Sequence, residues 1–283
     1  MDLRSLEIKV SRSENLPVLP QIVSQVLKLA DDQDASPKDM ERIVERDPAI
    51  TAKILRVANS SYYGLQQVSS TGRAISMLGM NAVRSLVVGV AYQQVIAGRA
   101  LASHFNKLEF WRHSLGVATG ARILAKLKLP MRSEELYVAG MMHDVGLLVM
   151  DRFHPLELDK TVKFAIEEGM CLHDAEQLMF GFDHSHVGAM LADKWALAPV
   201  IADAVRYHHD PMSDDENQQS TLIIAVANLL AHQCGLTNNV PGQPNEVPEA
   251  WVEQLGLPAE QLEIIKNVMA QEIVKAEQAF GIG

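Results

Sequence analysis

Cysteine is scarce in this sequence: Cys171 and Cys234 are the two thiols in 283 residues. Two cannot build a disulfide framework, and their spacing matches no zinc ribbon, so buried free thiols in a reducing cytoplasm are expected. Aromatic residues make up 5% of the chain, and neither a GxxxxGK[ST] nor a GxGxxG loop occurs. P-loop and dinucleotide-binding chemistry therefore have no support. Long apolar runs are lacking too. The most apolar stretch, around residues 85–90, is far too short for a membrane span, and the opening MDLRSLEIKVSRSEN mixes charges where a signal peptide would be apolar. Basic residues are outnumbered, 25 against 35 acidic ones, for a net charge of -10. That balance weighs against a sequence-independent grip on a phosphate backbone, so neither nucleic acid nor membrane is an expected partner.

What is present is helical periodicity. No sustained alternation of β-branched residues justifies a sheet, and the expected class is all-α. Ile22, Val23, Val26, Leu27 and Ala30 form one apolar stripe at helical spacing. Ser36, Pro37 and Asp39 read as a capping box with proline in the first turn, and Asp47-Pro48 repeats the device. Gly64 should end that helical region, with Tyr62 and Tyr63 at its edge. Asn81 is expected to cap a helix after a break at Gly79. Helix, glycine turn and helix superficially suggest a DNA-reading unit, but only Arg73 and Arg84 supply charge, and core packing is the expected role.

Further helices are expected over 108–127, from 134 through His143-Asp144, after Pro155, after Pro199 and over 222–230. Residues 235–247, with two prolines, two glycines and three asparagines, make a break. Two more helices follow, parted at Gly256-Leu257-Pro258. The predicted organisation is an N-terminal extension at 1–14, an N-terminal helical lobe at 15–102, a histidine-bearing helical lobe at 103–234, and a C-terminal helical extension at 235–283.

One lobe gathers the chemistry. His113 lies on a helix whose Leu115, Ala118 and Ile123 need burial, and His143-Asp144 stands near a helix end where Gly146 is expected to let the backbone turn. His184, His208 and His209 follow on later helices. Imidazoles with a carboxylate suit zinc, iron or manganese, as one ion or as two bridged by Asp144. The competing account is that these side chains hydrogen-bond within the bundle and hold no metal.

WRHS, AGMMHDVG, GFDHSHVGAMLADKW and YHHDP together resemble the HD superfamily of metal-dependent phosphohydrolases, and more closely its HDOD branch. LPVLPQIV, ERDPAITAKILRVANSSYYG and STGRAISMLGMNAVRSLVVG match the N-terminal lobe of that branch, so the resemblance runs from about Asn15 to Asp210. It implies a two-lobed helical protein whose metal ligands would be His113, His143, Asp144, His184, His208 and His209. His143 and Asp144 would be catalytic if the chain is active. His184 takes the ligand position because it stands four residues before Gly188, whereas His186 matches a variable polar position. The last ligand of active members is an aspartate, and here IIAVANLLAH puts Asn228 there. A neutral amide offers one carbonyl oxygen and no charge to a cation. The GYP segment that follows the paired histidines in cyclic-dinucleotide phosphodiesterases is also replaced, by DPMSDDENQQ. The resemblance therefore implies a bacterial signalling or regulatory module, non-catalytic and acting through contacts with signalling proteins. A groove lined in part by residues 47–63 would serve such contacts if Tyr62 and Tyr63 are exposed there; the favoured account of the two tyrosines is half-buried packing. The alternative it leaves is a metal-dependent phosphodiesterase or nucleotidase.

Overall fold

The computed structural model describes residues 2–12, 21–30, 34–64, 68–97, 99–238 and 246–281. The LPVLP stretch at 16–20, the part of the predicted break at 239–245 and the last two residues of FGIG lie outside them. Among the described residues every regular element is a helix, as the periodicity predicts. They form two compact units: residues 1–17 with 98–270, and residues 18–97 with 271–283.

After α1 (Leu3–Arg12), which belongs to the larger unit, the smaller unit contains α2 (Gln21–Ala30), α3 (Pro37–Val44), α4 (Pro48–Ala58), α5 (Thr71–Leu78) and α6 (Met80–Ile96). Ile22, Val23 and Val26 are buried, as their spacing requires. The carboxylate of Asp39 accepts from the Ser36 amide at 3.1 Å and its hydroxyl at 2.5 Å. Asp47 accepts from the amides of Ala49 and Ile50 at 3.0 Å each. Both caps satisfy amides that a helix start would otherwise leave without partners. The α5–α6 junction differs from expectation. Gly79, at φ 83°, is itself the boundary, and Asn81 lies within the first turn of α6 instead of capping it. A left-handed residue changes chain direction without a side-chain cap, and glycine adopts it at no steric cost. Residues 85–92 of α6 are all buried, so this helix is the centre of its unit and not a DNA-facing element. Tyr62 is 8% exposed and meets Tyr63 edge to face at 5.0 Å, so it is a packing residue and not an exposed contact.

The larger unit contains α7 (Lys107–Lys128), α8 (Ser133–Met142), α9 (Val145–Phe153), α10 (Pro155–Glu168), α11 (Leu172–Phe180), α12 (His184–Lys194), α13 (Pro199–Tyr207), α14 (Gln218–Gln233), α15 (Glu249–Leu255) and the start of α16 (Ala259–Phe280). α7, α8 and α14 are buried around most of their circumference and pack on one another, forming the core from which the site projects. α14 begins four residues before the predicted 222 and runs three past 230, because the polar Gln218 and Gln233 prolong its ends into water. Asn106 caps α7 through the amides of Leu108 and Glu109. The polar stretch before it is tied down: Asp151 accepts from the amides of Leu101 and Ala102, and Asp159 from those of Ser103 and His104.

Gly146 does not make the turn expected of it. It lies inside α9, where α9 crosses α12 at Gly188. A Cβ on Gly146 would collide with the His184 carbonyl oxygen and the Gly188 amide, and one on Gly188 would stand 3.2 Å from the Gly146 amide. Backbone therefore touches backbone, and this close crossing brings the start of α12 against the turn that precedes α9.

Candidate metal centre

His143 and Asp144 form the two-residue turn between α8 and α9, so both side chains leave the chain at one point. Four other segments converge there. α7 brings His113, α12 its first residue His184, the turn after α13 His208 and His209, and α14 Asn228. Asp144 is the hub. Its Oδ1 lies 3.2 Å from His143 Nε2, 3.2 Å from His184 Nε2 and 3.4 Å from His208 Nε2. Its Oδ2 lies 3.6 Å from His113 Nε2 and accepts from Asn238 Nδ2 at 2.5 Å. Two overlapping groups thus share this carboxylate: His113, His143 and Asp144, and Asp144 with His184, His208 and His209. In each, the potential ligand atoms all lie within 4.8 Å of one another. His186, by contrast, turns to the surface and bonds Asp183 at 3.0 Å.

The outer nitrogens of these rings are already committed. Nδ1 of His113 meets the Leu236 carbonyl at 2.7 Å, that of His143 the Gly140 carbonyl at 2.8 Å, and that of His208 the Val205 carbonyl at 2.9 Å. A carbonyl can only accept, so each Nδ1 carries the proton and donates it. Burial above all holds His113 well below the ordinary imidazole range and brings His208 down to about 4. Both rings are then neutral with an unprotonated Nε2: that of His208 faces Asp144 Oδ1 at 3.4 Å, and that of His113 lies 3.3 Å from His143 Nε2 and 3.6 Å from Asp144 Oδ2. Lone pair faces lone pair without a proton between them. Burial would raise the Asp144 carboxyl, but its contacts with His143 and His184 outweigh that and hold it well below the usual range.

His184 is set differently. Burial pulls it down, but buried Glu176 and the contact with Asp144 outweigh that and raise it well above the ordinary value. Glu176 Oε2 accepts from His184 Nδ1 at 2.6 Å and from its backbone amide at 2.8 Å, which fixes the ring with Nε2 toward Asp144 and 3.0 Å from His209 Nε2. A carboxylate behind a histidine is how proteins orient and strengthen imidazole ligands. His209 stacks on His173 with centroids 4.0 Å apart, and burial, with the neighbouring His208, keeps it well below the usual range. The thiol of Cys171, two residues from His173, is pushed up to about 11 by burial and by Asp174 and is not a reactive thiolate.

Several participants do not appear among the candidates that the sequence motifs single out: Glu176, His173, His232 and Asn238. His232 is one turn beyond Asn228, its ring 4.7 Å from that of His113, and burial depresses it to about 4. An i, i+4 spacing from Asn228 would have flagged it. Asn238 holds a left-handed backbone at φ 54° and has no comparable signal in the chain. A cavity of about 10 Å³ lies among Asp144, His184, His209, Asn228, His232 and Asn238. That is room for roughly one water-sized body. Around it the side-chain oxygens of Asn228 and Asn238 are buried with no hydrogen-bond partner among the described residues, as is His208 Nε2.

A wholly helical unit with imidazoles converging on one shared carboxylate defines the class: helical proteins with a candidate divalent-metal centre. Within it the chain belongs to the HDOD domain family, whose model matches residues 16–211. Among solved structures, a candidate phosphohydrolase of Shewanella amazonensis SB2B is 23% identical with a TM-score of 0.75, covering 98% of each chain. A candidate signal transduction protein of Marinobacter aquaeolei VT8 is 22% identical with a TM-score of 0.79, covering 99% of this chain and 64% of that one. At such identities the likeness establishes the fold. An uncharacterised protein of Treponema pallidum (strain Nichols) is 23% identical over 222 residues, 77% of this chain; the match spans 42% of that relative's length. No helix among the described residues is long and apolar enough to cross a membrane.

Proposed function

We propose that the cluster around Asp144 holds one or two divalent metal ions and that the chain uses them to hydrolyse phosphate esters. The observation that carries this reading is the pair of neutral imidazoles, His113 and His208, with unprotonated Nε2 atoms 3.6 and 3.4 Å from the Asp144 oxygens. A purely hydrogen-bonded cluster needs a proton in each contact, whereas a cation satisfies all the acceptors at once. The spacing suits an ion as well, because two donors at about 2.1 Å from one metal stand roughly 3.0–3.4 Å apart. Unpartnered oxygens of Asn228 and Asn238 beside a water-sized cavity add to the fit.

His113, His143 and Asp144 would hold one ion; His184, His208 and His209, with Asp144, a second. Bound there, divalent ions would supply Lewis acidity toward a phosphoryl oxygen and an acidified water. Asp144 orients the imidazoles around one point, and Glu176 keeps His184 turned inward. Iron, manganese and zinc all suit these donors. The name of the Shewanella relative supports the same chemistry.

Metal analysis of protein purified without tag or chelator, followed by a phosphoester panel with iron, manganese or zinc, tests the proposal. One or two ions per chain and turnover lost in Asp144→Ala, but kept in His186→Ala, are expected. Metal-free, inactive protein after reconstitution would refute it.

A second reading rests on Asn228, which lacks the charge of the aspartate expected there, and on the name of the Marinobacter relative. On it the chain is a regulatory module that contacts signalling proteins, with any ion serving as a staple. A bound ion, no turnover and a reproducible partner from native extract would favour that reading.

A further inference from the structure

The cavity beside Asp144, at about 10 Å³, admits one water-sized body. A phosphoryl group with its oxygens is far larger, so on the reading that the centre hydrolyses phosphate esters, this state is closed to its substrate. We infer that the side chain of Asn238 closes it: the amide bars the approach and must leave Asp144 before a phosphate ester enters. The walls of the cavity differ in how they are held. Leu147, Leu172, His184, Asn228 and His232 stand on helices, whereas Asn238 belongs to the short segment 235–238 that follows α14. Along that segment Gly235 and Thr237 are exposed, while Leu236 and Asn238 are buried, at 5% and 3% exposure. The segment therefore runs along the surface with alternate side chains turned inward, and it forms the outer wall of the cavity.

Two residues of that segment are fastened in different ways. Leu236 is anchored by its main chain: its amide donates to the Ala231 carbonyl at 3.0 Å, and its own carbonyl accepts from His113 Nδ1 at 2.7 Å. Asn238 is anchored through its side chain, Nδ2 donating to Asp144 Oδ2 at 2.5 Å. The amide can therefore swing off Asp144 while Leu236 and the end of α14 stay in place. The closed state is also poised. Asn238 holds a left-handed backbone at φ 54°, and its Oδ1 is buried with no hydrogen-bond partner among the described residues. Asparagine visits that backbone region more readily than most residues, yet both features carry a free-energy cost that release recovers. One charge-assisted hydrogen bond to the Asp144 carboxylate offsets them.

Inorganic phosphate, titrated into the chelator-stripped full chain reloaded with cobalt, tests this, read by calorimetry and by the visible absorption of bound cobalt. Asn238→Gly removes the amide and suits a left-handed backbone, so the fold is kept. Asn238→Ala is likewise too short to reach Asp144. Both should bind phosphate at least about tenfold more tightly than the wild type, because the ligand no longer displaces a hydrogen bond to a charged group. Both should also lose cobalt to added chelator faster. Cobalt affinity itself should fall, within the roughly 10–100-fold that loss of an outer partner costs. A residue that only orients Asp144 would lower phosphate affinity along with cobalt affinity, so opposite signs identify a gate. Unchanged or weaker phosphate affinity in a folded variant, or no phosphate binding by any of the three proteins, overturns the gate. A wild-type chain that binds no cobalt overturns instead the metal centre on which the inference rests.

Discussion

The two helical units bury very different things. In the smaller one the buried polar side chains, among the described residues, are Thr71 and Ser85, and its core is otherwise aliphatic with Tyr62, Tyr92 and Phe280. The larger one buries His113, His143, Asp144, Glu176, Asp183, His184 and His208 within its core. Burying an ionisable group is costly unless a partner compensates, so a core of this kind persists where its groups satisfy one another or a ligand. Asp183 does so within the protein. Burial alone would raise it, yet the adjacent His184 and bonds from Ser185, Gln177 and His186 hold it well below the usual range. The Asp144 cluster does not balance in that way, and this difference makes it the candidate site while the smaller unit reads as packing.

Substitutions can break or sharpen that contrast. The largest expected effect on stability is in the smaller unit: Ile54→Ala removes a fully buried side chain and should cost about 2–5 kcal/mol in denaturant unfolding. Metal affinity should be unchanged, and a parallel loss would mean that the units are not distinct in what they do. Gly146→Ala should cost about 1–3 kcal/mol and also weaken metal binding, because separating α9 from α12 moves His184 from Asp144. Unfolding and metal titration on one preparation would show whether the two losses occur together. Glu176→Ala leaves His184 Nδ1 and its amide without their acceptor. Metal affinity, compared at a pH where the imidazoles are neutral, should fall about 10–100-fold. Unaltered affinity would remove Glu176 from the site.

The smallest effect concerns pH. Burial raises Asp159, but bonds from the amides of Ser103 and His104 and from the His104 ring together outweigh it, so its folded pKa is lowered. A lowered carboxyl contributes stability above its unfolded value of about 3.9, and loses it as pH falls through the still lower folded one. Wild type should exceed Asp159→Asn by less than about 1 kcal/mol at neutral pH. The gap should close in acid, which urea unfolding at several pH values would show.

Much of this was legible along the chain. The caps at Ser36 and Asp47, the break at Gly79 and the histidine spacing all depend on neighbours a few residues away, which a linear reading can weigh. The misread places depend on distant partners. Asn81 looks like a cap only until Gly79 is seen to turn the chain by itself. Gly146 resembles a turn residue until α12 is laid against it. Glu176 resembles any helix-surface acid until His184, eight residues on, folds back over it.

The sequence by itself determined the helical class, through the 3.6-residue period of its apolar positions, and the chemical identity of the site, through imidazoles and a carboxylate in recurring motifs. Only the tertiary structure decided which nitrogens face inward, which oxygens are left without partners, and that His232 and Asn238 stand beside Asp144. Those outcomes depend on main-chain carbonyls and helix crossings contributed by residues far apart along the chain.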